Sequence, residues 1–163
     1  MKLVSFLTAL AALLLIACDR HGHRSDPRPP HSHHHEPPHG GTVVVLGEEE
    51  FHLEVLAHPD EGRLQVYVLD GHMDNFIRLP VPSFELRIEM NGTNRPLELA
   101  AVRRRATGEE VGDSALFEGR AEWLKGRTNF QAELTQLTIR GREYRNIRFP
   151  FPQGNAPEPG HSH

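Results

Sequence analysis

Phe84-Glu85-Leu86-Arg87-Ile88-Glu89-Met90 alternates apolar and polar side chains without a break. Only an extended strand puts every second side chain on one face, so this stretch constrains the fold more than any other feature of the chain. The same reading extends across residues 42–152. Thr42 to Leu46 is a β-branched run, and Phe51, Leu53, Val55 and Ala57 alternate with His52, Glu54, Leu56 and His58. Leu64 to Leu69 is a Val-rich strand carrying Tyr67, and Pro96–Val102, Ala115–Phe117, Phe130–Ile139 and Tyr144–Phe151 follow.

Turn chemistry separates these runs. Pro59-Asp60-Glu61-Gly62 predicts a turn that pairs residues 50–58 with 63–70, and partner numbers then sum to about 121. Asn91-Gly92-Thr93-Asn94 predicts a hairpin loop longer than two residues, and Arg140-Gly141-Arg142 predicts another hairpin. Apolar parity shifts between Leu134 and Leu137, which predicts a bulge. Ala121 to Lys125 suits a single helical turn before Gly126. Short strands at this spacing predict an all-β domain, a small antiparallel β-sandwich or open barrel, with disordered His/Pro-rich arms on either side.

The N-terminus carries a different signal. Lys2 precedes an apolar run from Leu7 to Ala17, and Leu15-Ile16-Ala17-Cys18 ends it at the only Cys of the chain. This resembles a bacterial lipoprotein signal peptide with its lipobox. The resemblance implies cleavage before Cys18, a diacylglycerol on its thiol and an acylated (palmitate-type) N-terminus. An ordinary secretory signal or a short retained anchor is the alternative, but the run is short against the roughly 20 residues of a span. Several acyl chains anchor stably where one is marginal. The expected location is the bacterial envelope, lipid-anchored and facing the periplasm. Asp19 resembles an inner-membrane retention signal, which leaves inner and outer membrane both open.

A mature chain from Cys18 would have 146 residues, enough for one domain with tails. Loss of Lys2 takes the formal charge from −4 to −5, which argues against a nucleic-acid partner. With Cys18 lipidated, no internal disulfide can form. Residues 19–41 hold seven His and five Pro and no Val, Ile, Leu or Phe, so nothing there offsets the entropy of ordering. Pro29-Pro30 and Pro37-Pro38 favour polyproline II. As a tether the segment would span about 26 Å as a coil and about 70 Å if fully extended in that form. Residues 153–163 are polar and end His161-Ser162-His163, a second tail.

Histidine carries the chemistry. Of 12 His, nine lie in the two arms: His21, His23, His31, His33, His34, His35 and His39, then His161 and His163. Neutral imidazole ligates zinc, copper, nickel and cobalt alike, and a dense tract can wrap an ion without preformed geometry. A solvating spacer with incidental metal affinity is the plainer alternative. Within the domain, the 121 register brings His72 toward His52, and His39 enters the same neighbourhood. A cluster of His39, His52 and His72 with Glu54, Asp70 or Asp74 is the candidate domain site, with His58 as a weaker member. The plainer alternative is an exposed polar sheet face. Asp70-Gly71-His72-Met73-Asp74-Asn75 fails the calcium-loop pattern. No nucleophile elbow, phosphate-binding loop or zinc-protease motif occurs, so no enzyme is expected. Arg103-Arg104-Arg105 and Trp123 read as a solvated strand end and a packing anchor.

His39-Gly40-Gly41-Thr42-Val43, Leu46-Gly47, His52-Leu53-Glu54-Val55 and Gly62 to His72 resemble, over residues 39–72, a group of small His-rich bacterial envelope lipoproteins. Similar stretches occur in periplasmic adaptor subunits of heavy-metal efflux systems. The resemblance implies a β-rich periplasmic module associated with divalent transition metal, with His39, His52 and His72, and more weakly His58, as its site. The long hairpin and lipoyl-like domains of a full adaptor are missing, so the chain is no adaptor by itself. Buffering, sensing or delivery of metal to an efflux system is the expected role. A scaffold that meets another envelope protein through its sheet is the competing one.

Overall fold

The computed structural model of the chain describes residues 36–156. The expected signal peptide, Cys18, the arm through His35 and the terminal His161 and His163 lie outside the described residues.

Eight strands form one antiparallel sheet. They are β1 (Thr42–Leu46), β2 (Phe51–His58), β3 (Arg63–Asp70), β4 (Ser83–Met90), β5 (Thr93–Ala101), β6 (Leu116–Arg120), β7 (Phe130–Ile139) and β8 (Arg142–Phe151). Their order is β1-β2-β3-β6-β5-β4-β7-β8, and the two ends of the sheet meet, so it curls into a nearly closed barrel. Alternation sends Leu53, Val55, Val66, Val68, Leu86, Ile88, Leu99 and Leu134 into one interior, each fully buried.

β2 and β3 pair with Phe51 opposite Asp70 and His58 opposite Arg63, the 121 register read from the sequence. The Pro59–Glu61 turn is 3-10, closed by Gly62 in the left-handed region at φ 61°. Glu122–Leu124 is a second 3-10 turn, where one helical turn was expected.

The β4–β5 hairpin differs from expectation. β5 begins at Thr93, and Met90 pairs with Thr93, so the loop is the two residues Asn91-Gly92. Both have positive φ (52° and 73°), the type I′ geometry that matches the twist of the strands. Arg140-Gly141 makes the same kind of turn between β7 and β8.

The expected bulge takes another form. Apolar parity does flip near Thr135, since Leu134 and Leu137 are both buried. Yet the β7–β8 register is unchanged on either side, from Phe130↔Phe151 to Ile139↔Arg142. Thr135 and its opposite Asn146 drop out of the ladder together, with Asn146 at φ 54°. One residue on each strand is spent, so both strands change face without a slip.

Ordered contacts also extend past the expected domain limits. His39 and Gly41 are bonded to β2, and Asn155 is bonded to β1. Among the described residues, no helix is long and apolar enough to cross a membrane, a statement that does not bear on strands.

Candidate functional site

The outward face of β2 carries His52, Glu54, Leu56 and His58, opposite Leu69, Tyr67, Gln65 and Arg63 of β3. Solvent was one expectation for this face. Instead His52 is 4% exposed and Glu54 is 0% exposed. Two segments approach it. Asn75–Leu79 runs back beside β3, with Phe76 opposite Leu69 and the Ile77 N–H donating to the Val68 carbonyl. The incoming chain turns at Pro37–Gly40, where the Gly40 N–H donates to the Pro37 carbonyl at 3.0 Å.

That turn sets His39 against Glu54. The Glu54 carboxylate accepts the His39 backbone N–H at 2.7 Å, the Gly41 N–H at 3.0 Å and the His39 ring Nδ1 at 2.8 Å. Gly41 is required by contact: a Cβ there would sit 2.7 Å from Glu54 Cγ and 2.9 Å from the Val55 carbonyl oxygen. The His39 ring stacks on Tyr67 with centroids 4.0 Å apart and planes 16° apart. Phe76 borders both rings, at 5.8 Å from His39 and 5.6 Å from Tyr67. His39 keeps 34% of its side-chain surface open, and Phe76 is 45% exposed.

The other candidate ligands have separate places. His52 Nδ1 lies 3.2 Å from the Asp70 carbonyl oxygen, and His58 Nε2 lies 2.8 Å from Gln65 Oε1. His72 follows β3 in a loop organised by Asp70. The Asp70 carboxylate accepts the Asp74 N–H at 3.0 Å, the Asn75 N–H at 3.3 Å, the Asn75 side-chain amide at 2.6 Å, and also the His72 backbone N–H. Partial burial raises the Asp70 pKa, but these donors outweigh it and hold the carboxyl below its ordinary range. The would-be calcium loop is thus a self-capped turn.

Of the candidate ligands, His39 lies against Glu54, His52 against the Asp70 carbonyl and His58 against Gln65. Among the described residues, no group of three or more His, Cys, Asp or Glu is positioned to hold a metal ion. The register explains the difference. His52 pairs with Leu69, and Gly71 then passes so close to Glu49 that a Cβ would meet its carbonyl oxygen at 2.4 Å. The chain rounds the end of β2 before His72 is reached. Asp70 contributes to its own loop through its carboxylate and to His52 only through its carbonyl.

Tyr67 and Phe76 were not among the candidates. Tyr67 gave a signal, since it stands directly opposite Glu54 in the 121 register. Phe76 gave none, because its place depends on the return path of the β3–β4 connection. Cys18, His21, His23, His31, His33, His34, His35, His161 and His163 lie outside the described residues.

No protein-family model, curated protein or solved structure matches the chain.

Proposed function

We propose that this is a lipid-anchored envelope protein that binds divalent transition metal without catalysing a reaction. The arm supplies the imidazoles and tethers the barrel to the lipid. The carrying observation is the density of seven His in residues 19–41, between the lipobox Cys and the first strand. Several neutral imidazoles at such local concentration coordinate zinc, copper, nickel or cobalt without a rigid cage. Two features favour the arm over the sheet as the source of ligands: His52 contacts a backbone carbonyl, and His58 contacts Gln65. Delivery to, or buffering for, a heavy-metal efflux system fits the resemblance over residues 39–72.

A second reading is favoured by the exposed Phe76 beside the His39–Tyr67 stack. An aromatic surface of this kind suits a scaffold that meets another envelope protein, with the arm as spacer.

Calorimetric titration of the mature chain with zinc, copper, nickel and cobalt is the test. It is compared with a variant carrying Gln at His21, His23, His31, His33, His34 and His35. The wild type is expected to bind several ions, and the variant to lose most of them. Binding should fade between about pH 7.5 and 5.5 as the arm imidazoles protonate. No binding at micromolar metal by the wild type would end the metal reading. A variant that loses metal but protects cells from metal stress as well as the wild type would favour the scaffold.

A further inference from the structure

We propose that Asn91 is an N-glycosylation acceptor, joined through Nδ2 to the first sugar of an oligosaccharide delivered on a lipid diphosphate. The proposal goes beyond metal binding. It rests on the envelope location in the reading above, since an acceptor Asn in a surface loop belongs to exported chains.

The sequence supplies the acceptor spacing. Asn91-Gly92-Thr93 has Asn followed two residues on by Thr, with no Pro between. No other Asn of the chain is followed in this way by Ser or Thr.

The fold puts the tripeptide where a transferase can take it. Met90 pairs with Thr93, so Asn91 and Gly92 form the tip of the β4–β5 hairpin, and residues 91–96 are all exposed. Among the described residues, the Asn91 side-chain amide and the Thr93 hydroxyl have no hydrogen-bond partner. A Cβ built on Gly92 would meet nothing within 4 Å. Neither flank walls the turn. On one side the β4–β7 ladder ends at Glu89↔Gln131, and on the other β5 pairs with β6 at Ala100 and Ala101 alone. β5 has no buried residue before Leu97, so the tip can open without disturbing the interior of the barrel. Glu89, exposed two residues before the acceptor, adds a carboxylate that a cationic groove of the transferase can pair with.

The transfer balances without an oxidant. Asn91 Nδ2 attacks the anomeric carbon of the donor sugar and a C–N bond forms. The C–O bond to the lipid diphosphate breaks, and its electron pair leaves with the diphosphate. One Nδ2 proton passes to a carboxylate base of the transferase. A bulky, solvated glycan at this tip would also shield the Thr93–Pro96 edge of β5, which lies outside the β5–β6 ladder.

The test is mass spectrometry of the full chain, expressed at its natural level and recovered from the envelope of its own cells. The peptide holding Asn91 is expected to carry hexose or N-acetylhexosamine mass on that residue. Asn91→Asp keeps a turn-forming residue and Thr93→Val keeps the side-chain volume, and each should abolish the addition. Thr93→Ser should retain it. Glu89→Gln should lower the modified fraction. A chain processed at Cys18 with Asn91 unmodified would overturn the inference alone. A chain that keeps residues 1–17, with Asn91 unmodified, would overturn it together with the envelope location. Conversion of Asn91 to Asp without sugar mass would show spontaneous deamidation instead and would count against transfer. The wild-type spectrum decides the point even if a variant fails to fold.

Discussion

At the scale of single residues, three carboxylates organise the segments that leave the sheet. Glu54 gathers residues 39–41, Asp70 caps the loop after β3, and Glu109 does the same in the β5–β6 connection. Glu109 is 5% exposed and accepts the Ala115 N–H at 2.9 Å and the Thr107 hydroxyl, with Arg104 at 3.6 Å. Burial raises its pKa, but Thr107, Ala115, Arg104 and Arg78 together draw it below the ordinary range. Asp70 is lowered in the same way. A folded-state value below the unfolded one means the unfolded chain binds more protons in that window. Stability from both groups is therefore complete above the unfolded values, roughly pH 4, and drains as pH falls through the folded ones. Asp70→Asn should cost on the order of 1 kcal/mol at pH 7, its loop being open to water, and Glu109→Gln about 1–3 kcal/mol. The double variant should also flatten the acid limb of urea midpoints measured from pH 7 to pH 2.5. An acid limb as steep as the wild type's would remove these carboxylates from the account.

At the scale of elements, the paired irregularity at Thr135 and Asn146 gives the β7–β8 hairpin two faces in sequence. Before it, β7 pairs with β4 as far as Leu86↔Leu134. At the break, the Thr135 hydroxyl donates to the Glu85 carbonyl at 3.1 Å, where the backbone ladder ends. Beyond it, Leu137, Ile139 and Tyr144 are buried. Tyr144 meets Phe51 edge-on at 6.1 Å, and its hydroxyl donates to Glu50 at 2.8 Å. The hairpin tip thus closes over the β1–β2 end of the barrel. Asn146 sits at φ 54°, a conformation that a β-branched residue adopts only under strain. Asn146→Val should cost about 1–2 kcal/mol in urea unfolding, while Asn146→Gly should stay within about 0.5 kcal/mol. Equal effects of the two substitutions would show that the left-handed residue is not what turns the hairpin. The alternation 130, 132, 134 then 137, 139 made the flip legible in the sequence. That both strands flip together was not, because Asn146 alone gives no sign of its partner.

For the whole molecule, the barrel is closed by a side chain where strand pairing stops. The outward edge of β1 is covered after β8 ends. The Val45 N–H donates to Asn155 Oδ1 at 2.7 Å, and the Val45 carbonyl accepts from Asn155 Nδ2 at 3.2 Å. The Thr42 hydroxyl donates to the Pro152 carbonyl at 2.9 Å. Gly154, at φ 77°, passes so close that a Cβ would lie 2.1 Å from the Val43 carbonyl oxygen. An amide side chain carries the same donor and acceptor as a peptide unit, so Asn155 substitutes for one strand residue and blunts an edge that would otherwise pair with another chain. Asn155→Ala should lower stability by about 1–2 kcal/mol and speed hydrogen exchange at the Val45 amide. Gly154→Ala should cost at least as much, through contact rather than a lost bond. Unchanged Val45 protection in Asn155→Ala would mean that the seam is held elsewhere.

Local patterning determined the strands, because burial of one sheet face imposes period two on the residues themselves. Thr42–Leu46 appears with the limits of its β-branched run, and Phe51–His58 and Phe130–Ile139 with those of their apolar patterning. The β2–β3 register followed from the length of the Pro59–Gly62 turn. What covers the outer face of that hairpin was decided only by tertiary structure. Alternation marks His52 and Glu54 as outward, and outward usually means wet. Residues 39–41 fold back onto Glu54, while Asn75–Leu79 pairs along the edge of β3 and brings Phe76 to the His39 and Tyr67 rings. No periodicity in β2 encodes that return. Packing alone therefore decided that His39 and Gly41 would return to the Glu54 carboxylate.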